Sequence, residues 1–119
     1  MTKQEAIDKH RRMWRWIAEK TRERRKVVDK IDYFYETGQM DVNPKDLCWC
    51  CEYARSVCNN NNIVGGYRAY CYLCPIQWSV VCCTTDTSAY RMWLHNFFLE
   101  DWEEAAHWAA VIAELPERL

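Results

Sequence analysis

Apolar residues recur at helical spacing along the first thirty residues of the chain. Because an α-helix has about 3.6 residues per turn, positions three and four apart share one side of it. That side would consist of Ala6, Ile7, His10, Met13, Trp14, Ile17, Thr21, Val28 and Ile31. Thr2 followed by Glu5 is typical of a helix N-cap. The pattern predicts a long amphipathic helix that begins near Thr2 and bends or breaks between Lys26 and Lys30.

Three shorter helices are predicted from the same kind of pattern. One spans 29–36 and ends at Gly38, which is suited to a helix C-cap. A second is capped by Ser88 or Thr87 and carries Tyr90, Trp93, Leu94, Phe97 and Phe98 on one side. The last begins at Asp101, stops before Pro116, and has one stripe of Trp102, Ala105, Ala106, Ala109, Ile112 and Ala113. Its small alanines would let it approach the first helix closely.

The middle of the chain contains two C-x-x-C pairs separated by nineteen residues. This spacing lies in the range expected for a four-thiolate zinc site. Each pair places two sulfurs on one side of a tight backbone bend, so two pairs facing each other can hold Zn²⁺ tetrahedrally at about 2.3 Å. The predicted ligands are Cys48, Cys51, Cys71 and Cys74. The alternative is a set of buried thiols or disulfides.

The exact ligand set is less certain from sequence than the metal itself. Cys50 competes with Cys51, and either Cys82 or Cys83 could replace one ligand. A second site formed by Cys58, Cys82, Cys83 and His95 is a weaker alternative, since their spacing matches no metal-binding pattern. Trp49 and Trp78 are expected to shield the metal from water. His10 lies on the apolar side of the first helix and is interpreted as a core residue, because no ligand is spaced with it.

The fold class that follows is mainly α, in one domain of 119 residues. A long N-terminal amphipathic helix and two C-terminal helices would pack around a central two-knuckle zinc-binding segment with at most a short β-hairpin. The N-terminal helices occupy 1–37, the zinc-binding segment 46–83 and the C-terminal helices 87–115. A domain of this size is only marginally stable unless it has an additional stabilising element such as a structural metal. With no membrane-length apolar run and no signal-like segment, we expect a soluble, cytoplasmic protein.

Charge is distributed unevenly although the net charge is −1. Residues 1–30 carry eleven Lys and Arg against five Asp and Glu, or +6, and residues 31–119 carry five against twelve, or −7. The basic first helix therefore meets either an external anion such as nucleic acid or the acidic C-terminal end of this chain. Self-pairing or simple solvation is the favoured interpretation, because charged runs on helices usually face solvent.

One aromatic residue of the first helix, Trp16, lies on its polar side. It is either a partner-binding residue or covered by the rest of the domain, and the two readings carry equal weight. Tryptophan and arginine dominate interface energies. The candidate binding residues are Trp16, Arg12, Arg15, Arg22, Arg24 and Arg25. The same surface could serve a homodimer, so the sequence leaves monomer and homodimer open.

Several segments together resemble a known group of proteins. They are Ala6-Ile7, 13–18, 48–54, Cys71 to Ile76 with Trp78, and 105–118. In these segments the chain resembles short cysteine-containing proteins encoded by bacteriophages and prophages of Gram-positive bacteria. The resemblance implies that positions Cys48, Cys51, Cys71 and Cys74 recur with one later cysteine near Cys82 or Cys83. It also implies a small accessory protein of a mobile element that binds a host protein or nucleic acid.

The motifs weigh against an enzyme. The zinc deaminase pattern H-x-E with P-C-x-x-C and the metalloprotease pattern H-E-x-x-H are both missing from the sequence. A zinc ion held by four cysteines also has no open position for water. The favoured function is therefore binding of a host protein in the host cytoplasm, with a host defence system as one candidate target. The alternative is a zinc-dependent nucleic-acid-binding protein that uses the basic helix. The isoelectric point of this chain, about 6.3 from the sequence, is low for a nucleic-acid-binding protein.

Overall fold

A computed structural model describes residues 1–38, 49–63, 73–78, 83 and 87–118. Its helices are α1 (Lys3–Arg24), α2 (Lys30–Thr37), α3 (Trp49–Asn60), α4 (Ala89–Phe98) and α5 (Trp102–Ala113). The mainly α fold class is confirmed. Within the described ranges the extended pairing is a single antiparallel bridge between Ile76 and Glu117. Much of the zinc-binding segment in which a short β-hairpin was allowed, including residues 64–72, lies outside the described residues.

Helix α1 begins where the sequence predicts, because the Thr2 hydroxyl accepts a hydrogen bond from the backbone N–H of Glu5 at 3.1 Å. It ends at Arg24, and Arg25 takes the left-handed conformation with φ 51°. Thr21 then anchors the chain that follows: its hydroxyl accepts from Val28 N–H at 3.2 Å, and its carbonyl accepts from Lys26 N–H at 3.3 Å. The break that was predicted between Lys26 and Lys30 is present, but it begins earlier, at Arg25.

The short second helix is defined by caps at both ends. Asp29 and Asp32 form a reciprocal capping box, in which each carboxylate accepts from the other residue's backbone N–H at 2.9 and 3.0 Å. Gly38 closes the helix with φ 71°, a conformation that glycine adopts without a steric penalty. Because α2 restarts the helical register, Ile31 no longer continues the apolar side of α1. It is 63% exposed, so its prediction as a buried residue was wrong.

Helix α1 lies at the centre of the core. Eight of its side chains are buried: Ala6, Ile7, His10, Met13, Trp14, Ile17, Ala18 and Thr21. It packs most extensively against α5, whose alanines Ala105, Ala106, Ala109 and Ala113 are buried as predicted. It also contacts α3 and α2, while α4 packs on α5. The expectation that the alanine-rich last helix neighbours the first is confirmed.

Aromatic rings fill the space around α1. Trp14 meets Trp93 of α4 edge to face at 5.0 Å between centroids. On another side, Trp16 meets Tyr33 of α2 at 5.3 Å. Trp49 of α3 packs against Phe34 at 5.3 Å. Each such pair stabilises the fold by about 0.5–1.5 kcal/mol beyond the contribution of the apolar area that it buries. These contacts join α4 and α2 to α1, and α3 to α2.

The residues after α5 tie the two ends of the chain together. Gln77 N–H donates to Pro116 C=O at 2.8 Å and Arg118 N–H donates to Pro75 C=O at 2.7 Å, on either side of the Ile76 bridge. The same C-terminal tail accepts from α1, through Arg11 to Leu115 C=O at 3.1 Å and through Lys3 to Arg118 C=O at 3.0 Å. This tail therefore joins α1 to the segment that follows the second C-x-x-C pair.

Three further elements differ from the sequence prediction or refine it. Ser88 is the cap of α4, and Asp101 caps α5 as predicted. Phe98 was placed on the packed side of α4, but it is the last helical residue and 73% exposed. Helix α3 was not predicted, since its residues were assigned to the zinc-binding segment 46–83. No helix in the described part of the chain has the length and apolarity needed to cross a bilayer.

Helix α4 ends in a left-handed residue that is not glycine. Glu100 has φ 57° and lies at the C′ position of a Schellman turn, in which Asp101 N–H donates to Asn96 C=O at 3.0 Å. We expect Glu100→Gly to raise the free energy of unfolding by about 1 kcal/mol, because glycine removes the Cβ penalty of this conformation. Urea denaturation would measure the change. The control Glu103→Gly, in the first turn of α5, should instead destabilise; equal effects would contradict the assignment.

Candidate functional site

The four predicted zinc ligands are only partly within the described chain. Cys51 and Cys74 are described, whereas Cys48 and Cys71 lie outside the described residues. Among the residues that are described, no group of three metal-binding side chains could hold an ion. The fit of a metal therefore has to be judged from the surroundings of Cys51 and Cys74.

The first pair leads into a helix instead of the tight turn that we expected. Cys50 and Cys51 belong to the first turn of α3. Cys50 is 1% exposed, faces α1, and its thiol lies 3.9 Å from the Ala6 carbonyl oxygen. Cys51, about 100° further round the helix, is half-buried. Of the two competing cysteines, Cys51 is therefore the one placed away from the core, which favours it as the ligand.

Cys74 of the second pair lies next to the same helix. It lines a hollow of about 210 Å³ together with Tyr53 and Val57 of α3 and with Lys3 and Arg118. Cys51 does not line this hollow, because Tyr53 and Val57 lie about 160° and about 120° round α3 from it. Lys3 and Arg118 also bring two positive charges to this region, where four thiolates around Zn²⁺ would leave a charge of about −2. Sequence analysis missed these two cations, because they are 115 residues apart and only the fold brings them together.

The residues expected to shield the metal are buried. Trp49 is fully buried and Trp78 is nearly so, and both belong to one core cluster with Cys50 and Cys74. Trp78 meets His10 edge to face at 6.1 Å between ring centroids. His10 lies in the core, and its two ring nitrogens have no hydrogen-bond partner there. The segment after Cys74 is thereby packed onto the middle of α1.

The remaining cysteines divide between the core and the surface. Cys58 is 1% exposed and continues the buried side of α3 that Cys50 and Ala54 begin. His95, offered with Cys58 and Cys83 as part of a second site, is exposed on α4. These three described residues do not form a metal-binding group. Cys82, the fourth member, lies outside the described residues.

A second candidate region is an open groove on the exposed side of α1, with a volume of about 470 Å³. We call it the α1 groove, and it is lined by Asp8, Arg11, Arg12, Arg15, Trp16 and Glu19. Trp16 is partly buried, with Tyr33 against one side and the Arg24 guanidinium 5.8 Å from its ring centroid. The expectation that Trp16 is covered by the rest of the domain is thus met on one side of the ring, while its other side lines the groove.

Five of the six predicted binding residues fall into two regions. Arg12, Arg15 and Trp16 line the α1 groove, where Arg15 also pairs with Glu114 at 3.2 Å. Arg22 and Arg25 are exposed at the C-terminal end of α1. Together with Lys26 they form what we call the basic end, and within the described chain none of the three makes an ion pair. The predicted pairing of α1 with the acidic C-terminus is seen for Arg15 and for Lys3, which lies 3.3 Å from Glu117.

Arg24 is held by a carboxylate of α2. Its guanidinium donates two hydrogen bonds to Glu36, at 2.8 and 2.5 Å. These hydrogen bonds hold the pKa of the Glu36 carboxyl below its ordinary value. The pair fixes the Arg24 side chain beside Trp16, so Arg24 shapes the Trp16 surface and has fewer donors left for an external anion.

Metal content tests the zinc prediction directly. We expect purified protein to hold about one zinc ion per chain, as a four-cysteine site requires. Cys51→Ser and Cys74→Ser should each lower the zinc measured by mass spectrometry and the thermal midpoint. Cys58→Ala is the matched control, since it removes a buried thiol from the core side of α3 and should keep the metal. Metal-free wild-type protein, or equal zinc loss in the control, would refute the assignment.

Titration of Glu36 tests the fork with Arg24. NMR should find its pKa below the ordinary value, with Arg24→Ala restoring that value and Lys20→Ala changing it less, since Lys20 acts only through its charge. Because the folded-state pKa is the lower one, the stabilisation is present above the unfolded value of about 4.3 and is lost as pH falls through the folded-state pKa. An ordinary pKa in wild-type protein would rule out the fork in solution.

Comparisons with known proteins identify no related protein. Protein-family models, curated protein sequences and solved structures were each searched, and none gives a significant match to this chain. The likeness to phage and prophage proteins therefore stays a prediction from sequence. The candidate sites are supported by the residues and contacts described above.

Proposed function

We propose that this protein is a small accessory protein of a bacteriophage or prophage that binds a host protein through the α1 groove. The observation that carries the proposal is an exposed helix face on which Trp16 lies among charged residues of both signs. Aromatic and arginine side chains supply most of the binding energy in protein interfaces. The partner would be a host protein in the cytoplasm of the host cell, with a defence system as the candidate target.

The packing of Trp16 supports this role. Its contacts with Tyr33 and Arg24 hold the ring before any partner arrives. A side chain ordered in advance loses less conformational entropy on binding, which leaves more of the contact energy as affinity. Arg12 is exposed next to it and makes no ion pair within the described chain. The groove therefore offers one ordered aromatic ring and one available guanidinium.

The charges of the groove favour a protein over a polyanion. Asp8 and Glu19 alternate with the arginines of this face, and Arg15 is already paired with Glu114. A nucleic-acid backbone would be repelled by the two carboxylates, whereas a protein surface with mixed charge can complement both signs. Mixed charge also gives specificity, because a wrongly placed like charge costs binding energy.

Zinc would have a structural role in this proposal. Held by Cys48, Cys51, Cys71 and Cys74, it would fasten the start of α3 to the segment that packs on α1. A closed four-thiolate site leaves no position for activating water, so the metal would support the fold and not a reaction. The positions of Lys3 and Arg118 beside Cys74 support such a site electrostatically.

A second candidate function is nucleic-acid binding, and the basic end is the observation in its favour. Arg22, Arg25 and Lys26 are exposed and make no ion pair within the described residues. Phosphate contacts of this kind give an affinity that falls steeply as salt rises. Two other cations of α1 are less available, because Arg15 and Arg24 are paired with Glu114 and Glu36.

The charge reversals Arg12→Glu and Arg22→Glu, both on α1, distinguish protein binding from nucleic-acid binding. Tagged wild-type protein, Trp16→Ala, Arg12→Glu and Arg22→Glu would be used to capture host proteins, with quantitative mass spectrometry as the readout. We expect Trp16→Ala and Arg12→Glu each to capture at least about tenfold less of a specific host protein than the wild-type protein does. Hot-spot residues such as Trp and Arg carry most of the binding energy of an interface. Arg22→Glu is the matched control, with the same charge change on the same helix, and should retain it.

The same variants are then titrated with duplex and single-stranded DNA over a range of salt concentrations. Steeply salt-dependent binding that Arg22→Glu abolishes and Arg12→Glu leaves intact would favour the nucleic-acid function. Equal capture of every host protein by wild type and Trp16→Ala would refute the groove as the binding surface. Circular dichroism of each variant would verify that it remains folded.

A further inference from the structure

The corner between α4 and α5 exposes two large apolar side chains in an acidic setting. Phe98 and Leu99 are 73% and 61% exposed, although they follow each other directly in the chain. The next residues form what we call the acidic corner: Glu100, Asp101, Glu103 and Glu104. All four are exposed, and none makes an ion pair with a described residue. An apolar pair bordered by unpaired charge is typical of an interaction surface.

The acidic corner lies toward the same end of the molecule as the basic end. Arg15 contacts Glu114, Arg11 contacts Leu115 and Lys3 contacts Arg118, so the chain through and beyond the end of α5 runs antiparallel to α1. Going back along α5 from Glu114 therefore leads toward the C-terminal end of α1. Helix α5 is twelve residues long, or about 18 Å, and α1 extends nine residues, or about 14 Å, beyond Arg15.

Opposite charges at this end do not satisfy each other within one molecule. Arg22, Arg25 and Lys26 make no ion pair among the described residues, and neither do the four acids of the corner. Each set also has the sign that its helix terminus favours, since α1 ends there and α5 begins there. Helix-dipole complementarity alone would explain the charges, but it does not explain the two adjacent exposed apolar side chains, Phe98 and Leu99, that directly precede the acidic corner.

The geometry points to a second copy of this chain as the occupant of this surface. A two-fold axis at this end sets the acidic corner of each copy against the basic end of the other, so each charge contact occurs twice. Phe98 and Leu99 from both copies would form the apolar centre. The complementary charges and the apolar residues are all present on one chain. None of the residues proposed for this surface lines the α1 groove, so self-association and host-protein capture can be tested with separate variants.

Charge-swap variants test the dimer by sedimentation velocity over a range of protein concentrations and salt. Wild-type protein is expected to dimerise more weakly at high salt, since the contacts are ionic. The pair Glu103→Arg and Glu104→Arg in one chain, and Arg22→Glu and Arg25→Glu in another, should each weaken self-association by at least about tenfold, because like charges then face each other. Phe98→Ser should weaken it without any change of charge.

Mixing the two charge-swapped chains gives the decisive result. In the mixed dimer both contacts again join opposite charges, so a heterodimer of near wild-type affinity should form. The control chain with Arg12→Glu and Glu19→Arg alters the α1 groove and should dimerise as wild type does. A wild-type protein that stays monomeric at every concentration overturns the inference, and so does a mixture of folded variants that fails to associate. Loss of host-protein capture in the groove variants would leave the dimer unaffected, so the two proposals can fail separately.

Discussion

The burial of one wide side of α1 is the constraint on which the other elements depend. Eight of its side chains are enclosed, and burying a large apolar side chain contributes about 1.5–3 kcal/mol. No single neighbour covers that side: α5 contacts it with small alanines, α4 meets Trp14 with Trp93, and α3 sets Cys50 against Ala6. The molecule is thus organised around one helix. Among the described residues, the exposed side of α1 is the α1 groove.

The C-terminal tail has a second structural role that follows from this arrangement. It bonds to α1 through Lys3 and Arg11 and to the segment 75–77 through a short antiparallel pairing. The segment after Cys74 is therefore held both by the tail and by the contact of Trp78 with His10. A metal bound by the cysteine pairs would act on a segment that already has contacts to α1. Its effect would be to join α3 to this assembly.

The unequal charge distribution takes on a different meaning once the chain is folded. Part of the positive charge of α1 is used internally, by Glu117, Glu114 and Glu36. What remains exposed is divided between a mixed-charge groove and the basic end, which lies toward the acidic corner. Within the described residues, the positive charge of α1 is thus divided among ion pairs, the α1 groove and the basic end. This arrangement suits selective protein contacts better than attachment to a polyanion.

Local features of the sequence were sufficient for α1, α2, α4 and α5 and their ends, but not for α3, whose residues were predicted to belong to the zinc-binding segment. The caps at Thr2, Asp29, Gly38, Ser88 and Asp101 involve residues within a few positions of one another, and the buried stripes of α1 and α5 follow directly from helical period. Predictions failed where a register restarted or a helix ended, as at Ile31 and Phe98. Ile31 was assigned to the apolar side of α1 by extending the helical period of α1 across the break before α2. The sequence gives the position of that break only approximately.

The candidate sites show the same division. Sequence alone identified the C-x-x-C spacing, Trp16 on the polar side of α1 and the cationic clusters, because spacing and periodicity are properties of the chain itself. Only the fold set Cys50 against Ala6, brought Lys3 and Arg118 beside Cys74, and clamped Arg24 with Glu36. The Ile76–Glu117 bridge likewise joins residues 41 positions apart. Such contacts depend on how the helices pack around α1, and packing is decided by the whole set of side chains at once, so no local pattern records it.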